Sequence, residues 1–368
     1  MSLWVDKYRP NSLGKLSLHA DVTGKLTALA RSEELPHLLF YGPPGAGKKT
    51  RVMALLREIF GPGVEKVKLE PREFKPNPSK KIEITMVGSN YHIECNPSDV
   101  GNNDRFVIQE VIKEIAQHSS LQGNAQGGPA NTRSFKVVVL TEVDKLTKQA
   151  QAGLRRTMEK YSGNCRIIMI CNSPSKVIDP VRSRCLGIRV PSPSEADLTE
   201  LLVSTARKEN VTCPAELAHK IGVSCDRNIR RALLMLEASR VQQGGGNQLS
   251  ADAPVQLPDW EIYISKIARE IMSEQSPTKL TQVRDMLYEL LTNCIPPEVI
   301  LSTLVRELTK STDDTLKHEI AHWAAYYEHR LQQGSKEIFH LEAFVAKFMA
   351  VYKKWSVELF AGMEEDFM

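Results

Sequence analysis

The sequence predicts an α/β domain of P-loop type, a parallel sheet with flanking helices, followed by two all-α domains. Three observations carry this. Short apolar runs alternate with longer amphipathic stretches through the first half, one such run leads straight into a glycine-rich turn, and from Ser194 onward the apolar spacing is helical. Apolar residues make up 42% of the 368 residues and charged residues 25%, ordinary globular usage that excludes collagen-like, coiled-coil and wholly disordered chains. A net charge of +4 permits a nucleic-acid partner without requiring one. The 7 cysteines lie far apart with no CxxC, so we expect reduced core thiols rather than a zinc site or disulfide framework. The longest apolar runs are strand-sized, and the expectation is an intracellular soluble protein with no membrane partner.

Element by element, His37 to Tyr41, Lys136 to Leu140 and Arg166 to Cys171 read as buried strands. Lys66 to Glu70 and Lys81 to Val87, separated by Pro71, Pro76 and Pro78, read as an inserted hairpin. Residues 122–132 lack apolar periodicity and read as a mobile loop. Ser194, with Asp197 three residues on, is a helix N-cap ahead of Leu198, Leu201 and Leu202. The predicted domains are 1–192 (nucleotide-binding α/β), 193–243 (helical lid), 244–258 (a Gly/Pro-rich linker unable to pack) and 259–368 (a helical domain). In the last, Leu280, Val283, Leu287, Leu290, Leu291 and Cys294 form one apolar stripe. Ile338, Leu341, Phe344, Val345, Phe348, Tyr352 and Trp355 form another. So many stripes suggest apolar faces left for neighbouring chains.

The chemistry starts at Gly42, Pro43, Pro44, Gly45, Ala46, Gly47 and Lys48, a Walker A loop between a strand and a helix. Its glycines let backbone N–H groups turn onto phosphates, and Lys48 reaches the outer ones. The next residue, which should hold Mg²⁺ through a hydroxyl, is Lys49, and Thr50 comes one position late, rotated by about 100°. In the Walker B strand Val137 to Leu140 the expected metal-supporting acid is Thr141, while Glu142 stands where a water-activating base would sit. Both departures strike the same ion. The expectation is a site that holds nucleotide, ATP or ADP, without efficient turnover, with Mg²⁺ doubtful and no protein metal ligand assigned; a water-mediated ion with slow hydrolysis is the alternative.

With this loop in place, the ordered boxes around it resemble the AAA+ clamp-loader family, specifically the small subunits of eukaryotic replication factor C. Trp4 to Pro10 (WVDKYRP) resembles the opening box, Cys171-Asn172-Ser173 the sensor-1 segment, Ser183-Arg184-Cys185 the SRC box and Asn228 to Leu233 the sensor-2 helix. The resemblance implies an AAA+ domain, an all-α lid and an all-α collar that joins homologous subunits in a hetero-oligomeric ring. It implies Val5, Tyr8 and Arg9 over the adenine, with Asn172 and Arg230 also at the nucleotide. Arg184 becomes an arginine finger acting in trans, and Glu142 a vestigial base. Arg105 would meet DNA phosphate, with Lys145 and Lys148 either joining it or merely solvated. The end of the helix carrying Ile112 and Ile115, and Leu121 beyond it, would touch the sliding clamp, proliferating cell nuclear antigen, although Leu121 serves a core equally well. Primer-template DNA, nuclear localisation and roles in DNA replication and repair follow from the same resemblance. The competing reading is an independent AAA+ ATPase, a helicase or remodeller hydrolysing ATP as a homo-oligomer, and Thr141 argues against it because an engine needs its own metal site.

Overall fold

Apolar runs that are buried on both faces must sit inside a sheet covered by helices on both sides, and that is how the first half of the chain packs. The computed structural model describes residues 2–32, 34–77, 80–122, 135–246, 248–251 and 253–366. They divide into two compact units, Met1–Val255 and Gln256–Met368.

The first unit is built on seven strands: β1 (Leu38–Tyr41), β2 (Lys68–Asn77), β3 (Lys80–Gly88), β4 (His92–Cys95), β5 (Lys136–Leu140), β6 (Cys165–Cys171) and β7 (Leu186–Arg189). Their order in the sheet is β2-β3-β4-β5-β6-β1-β7. From β4 to β7 the pairing is parallel, and the β2–β3 hairpin extends the sheet antiparallel at one edge. Pro71 and Pro76 are tolerated in β2 because it is an edge strand. Alternation along the strands separates two cores. Leu38, Phe40, Val137, Val139, Ile168 and Ile170 pack with helices Ala20–Arg31 and Lys48–Phe60. Leu39, Val138, Leu140, Ile167 and Met169 pack on the other face with helices Asp104–Gln122 and Lys148–Lys160.

Helices Glu195–Lys208, Ala215–Ser224 and Ile229–Gln242 form the lid. Ser194 caps the first of them in a reciprocal box with Asp197, as the sequence indicates. The lid core has a contributor that the sequence did not suggest. Trp4 is buried among Leu198, Leu202, Leu217 and Leu236, its backbone N–H donates to Glu237 at 3.0 Å, and the Arg240 guanidinium lies 5.4 Å from its ring centroid. Lys7 and Tyr8 both donate to Glu209 Oε1 at 2.5 Å. The opening box therefore docks onto the lid.

Residues 244–258, expected not to pack, do so in part. Leu249 is buried in the lid core, Leu249 N–H donates to Thr212 O at 3.0 Å and Val255 packs on the same cluster. Leu249, Ala253 and Val255 together anchor it. Of residues 122–132, read as a mobile loop, Gln122 ends helix Asp104–Gln122 and the rest lie outside the described residues.

In the second unit five helices, Asp259–Ser273, Pro277–Thr292, Pro297–Lys310, Asp314–Gln333 and Glu337–Asp366, share one core. The predicted stripes are mostly consumed within it: Val283, Leu287, Leu290, Ile338, Leu341, Phe344, Val345 and Phe348 are all buried. Cys294, assigned to the first stripe and to the core thiols, is instead exposed, at φ 59° just after a helix C-terminus. No helix among the described residues is long and apolar enough to cross a membrane.

Candidate nucleotide site

A helix that starts immediately after a parallel strand aims its first N–H groups, and their partial positive charge, at the strand's carboxyl edge. Here β1 passes through Gly42–Gly47 into helix Lys48–Phe60, and the turn floors a cavity of about 340 Å³. The glycines are required by space as well as conformation. Gly42 (φ 149°) leaves no room for a Cβ, which would lie 2.0 Å from Val190 O. Gly45 (φ 73°) would place one 1.8 Å from Asn228 Oδ1, at the start of the third lid helix. Loop and lid thus meet at the cavity.

Lys48 is buried, and its Nζ donates to Gly42 O (2.7 Å), Pro43 O (2.8 Å) and Asn172 Oδ1 (2.9 Å). Burial lowers its pKa, so an anion placed beside it would be strongly favoured. Asn172, at the tip of β6, is held through its backbone N–H, which donates to Asp144 Oδ2 at 3.1 Å. The other oxygen, Asp144 Oδ1, is buried on the cavity wall without a partner among the described residues. Arg230 closes the same end from the lid.

Lys49 does not stand bare in place of the missing hydroxyl. It makes an ion pair with Glu94 on β4. Thr141 turns its hydroxyl onto Cys95 O at 3.4 Å, and its N–H donates to the same carbonyl at 3.2 Å. The positions from which a P-loop holds Mg²⁺ therefore carry an ammonium already matched by a carboxylate and a threonine bonded to backbone. These residues do not fit a resident metal ion, whereas the cationic cradle fits a nucleotide's phosphates. Glu142, in left-handed conformation at φ 54°, accepts from Lys145 at 2.9 Å and from the Ser98 hydroxyl at 3.5 Å.

The rest of the cavity wall is largely apolar, made by Val5, Tyr8, Arg9 and Pro10, the segment Leu16–Leu18, and the lid residues Leu201, Thr205, Ile229 and Leu233. Of the expected nucleotide residues, Val5, Tyr8, Arg9, Pro44, Gly45, Gly47, Lys48, Lys49, Thr50, Asn172 and Arg230 all reach the cavity wall, as does Glu142. Gly42, Pro43 and Ala46 shape the loop from behind. Leu16–Leu18, Arg51 and Thr205 were not anticipated, since none belongs to a glycine or acid pattern that a reading of spacing detects; Asp144, two residues beyond Glu142 in the Walker B box, was given no role.

The remaining expected site residues lie off the cavity. Arg184 is 33% exposed at the turn before β7, bonded to Glu159 (2.6 and 2.7 Å) and Pro180 O (2.7 Å). Arg105 and Lys148 are exposed, and neither has a carboxylate partner among the described residues. Buried Asp104 accepts from Thr147 N–H (2.7 Å) and Oγ1 (2.9 Å), fastening the starts of helices Asp104–Gln122 and Lys148–Lys160 side by side. Lys145 is occupied by Glu142. Ile112 and Ile115, expected at a clamp contact, are corrected to core residues: they are 0% and 2% exposed and face the sheet. The Leu121 side chain lies outside the described residues.

Strand–loop–helix and lid define an AAA+ P-loop protein, and an all-helical region follows them in the chain. Family models match in chain order: "DNA polymerase III, delta subunit" over residues 19–194, "RCF1/5-like, AAA+ ATPase lid domain" over 200–241 and "Replication factor C subunit 3, C-terminal domain" over 260–356. The chain is 54% identical over 363 residues to replication factor C subunit 3 of Homo sapiens, covering 99% of both chains. It is 46% identical to replication factor C subunit 5 of Schizosaccharomyces pombe, over 95% of this chain and 96% of that one. Among solved structures, a point variant of the Thermotoga maritima protein RuvB superposes with TM-score 0.52 at 16% identity, over 84% of this chain and 97% of that one, a likeness of fold alone. The chain belongs to the replication factor C subunit 3 family, small subunits of the clamp loader.

Proposed function

We propose that this chain works in the hetero-oligomeric replication factor C ring as a subunit that holds ATP or ADP without efficient hydrolysis. In this reading it lends Arg184 to a neighbouring subunit's ATP site, and it meets primer-template DNA and the sliding clamp, proliferating cell nuclear antigen, in nuclear replication and repair. One observation carries the nucleotide part: a complete phosphate cradle whose two metal-bearing positions hold a Lys49–Glu94 pair and a backbone-bonded Thr141. Bound Mg²⁺ supplies charge neutralisation in phosphoryl transfer, worth several kcal/mol. At ~1.4 kcal/mol per tenfold, a site without that contribution is slower by orders of magnitude, while backbone amides and Lys48 still bind. A homo-oligomeric motor fits poorly, since each of its sites would lack the same support.

The purified chain should therefore bind ATP and ADP yet release phosphate no faster than a Lys48→Ala control, measured with a coupled phosphate sensor. Multiple turnovers that disappear in that control would refute it.

The DNA part is supported by Arg105 and Lys148 on two helix starts that Asp104 holds together. In this reading both meet phosphates, which position the duplex without reading its sequence. In the assembled loader, Arg105→Ala should weaken primer-template binding equally across sequences and reduce the slope of log K against log salt by about one contact. An unchanged slope, or a loss confined to certain sequences, would remove Arg105 from the DNA surface.

A further inference from the structure

Arg51 is an ordinary helix residue by sequence and an unusual one by placement. Its side chain is only 2% exposed and lies on the wall of the nucleotide cavity. Guanidinium groups this deeply buried are normally balanced by a carboxylate, because an unpaired charge in a low-dielectric interior is costly. Among the described residues no carboxylate pairs with it. Instead Nη1 donates to Ala46 O at 3.2 Å, Nη2 donates to Leu18 O at 2.8 Å, and Nε is buried without a partner.

The two carbonyls belong to separate segments at the site. Ala46 is in the phosphate loop, and Leu18 ends the segment Leu16–Leu18 that lines the apolar part of the cavity wall. A guanidinium holds both with donors fixed in one rigid plane, a geometry that a lysine's freely rotating ammonium does not reproduce. Gly47 leaves the space it needs, since a Cβ there would come within 3.2 Å of Nη1.

We propose that Arg51 is a nucleotide-positioning residue, a brace that fixes the phosphate loop relative to the base-side segment so that filling one end of the pocket strengthens binding at the other. This rests on the reading of the cavity as a nucleotide site. The unbalanced cation adds a long-range pull on the phosphates, and the brace makes that pull work only on a ligand of the right length.

The test compares the full-length chain with Arg51→Lys and Arg51→Met, using ADP and, as a ligand without the base, pyrophosphate. For the unmutated chain ADP should raise the melting temperature more than pyrophosphate does at equal concentration. In both variants ADP should dissociate about tenfold to a hundredfold faster, the scale of one lost charge-assisted hydrogen bond. Its thermal advantage over pyrophosphate should also collapse. A purely structural role would shift the nucleotide-free melting point and leave that advantage intact. Should Arg51→Met fail to fold, Arg51→Lys decides, because it keeps the stem and the charge. An Arg51→Lys chain with unaltered ADP dissociation and an unaltered ADP advantage overturns the brace. If the unmutated chain binds neither ligand, the nucleotide reading itself fails.

Discussion

Replacing Arg184 by alanine should lower ATP hydrolysis by the assembled loader roughly 10³-fold or more at the neighbouring site it serves, the scale of an arginine finger. Nucleotide affinity of the isolated chain should not change. The separation follows from geometry, because Arg184 takes no part in this chain's own cavity and, among the described residues, is bonded to Glu159 and the Pro180 and Ser183 oxygens. A half-exposed ion pair of this kind contributes only about 0.2–1 kcal/mol, so the variant should fold and assemble. The Glu159 bond holds the guanidinium at the surface. Lys48→Ala should behave inversely, losing this chain's nucleotide and sparing the neighbour's chemistry. Loaders carrying Arg184→Ala that assemble normally and hydrolyse ATP at the unmutated rate with clamp and DNA present would make the SRC box a structural turn.

Trp4→Ala should be the most destabilising single truncation in the first unit. The indole is 5% exposed and closes the lid core, so its removal leaves a cavity that helices cannot readily fill. Large aromatic truncations of this kind cost about 3–5 kcal/mol, which in a unit of this size lowers the melting temperature by roughly 6–20 °C. Nucleotide binding should weaken as well, because Val5, Tyr8 and Arg9 on the cavity wall are held in place by the same docked segment. Trp4→Phe retains most of the apolar contact and should recover most of both losses. Calorimetry in which Trp4→Ala melts within about 2 °C of the unmutated chain would show that the lid core closes without it.

What the sequence disclosed follows from how local each feature is. The phosphate loop was legible because its glycines, lysine and flanking strand and helix lie within a few residues, and Gly42 and Gly45 are required sterically. The hairpin and the Ser194 cap were legible for the same reason. Strand β4 was missed since His92-Ile93-Glu94-Cys95 alternates without an apolar run, and β7 because it is short and largely exposed. Trp4 reached the lid across 233 residues, Leu249 was a single leucine in polar surroundings, and Arg51 looks like any solvated helix arginine. Its burial depends on where two carbonyls happen to converge. Ile112 and Ile115 went wrong in the opposite sense, an implied contact being assigned to the very residues whose spacing already marked them as core.

The strand order has a consequence for how the molecule is made. The partners of β1 in the sheet are β6 and β7, neither of which begins before Cys165. At roughly 5–20 residues per second, Leu38, Leu39, Phe40 and Tyr41 wait on the order of 6–25 s for a neighbour after leaving the ribosome. The β2–β3 hairpin, whose contacts are local, can form during that interval, but the strand that bears the phosphate loop cannot be enclosed. The lid closes later still, since its core draws on both Trp4 and Leu249. The growing chain thus passes through a stage with an unpaired apolar strand and an unclosed core, a period in which shielding by a chaperone would matter more than at any point after synthesis.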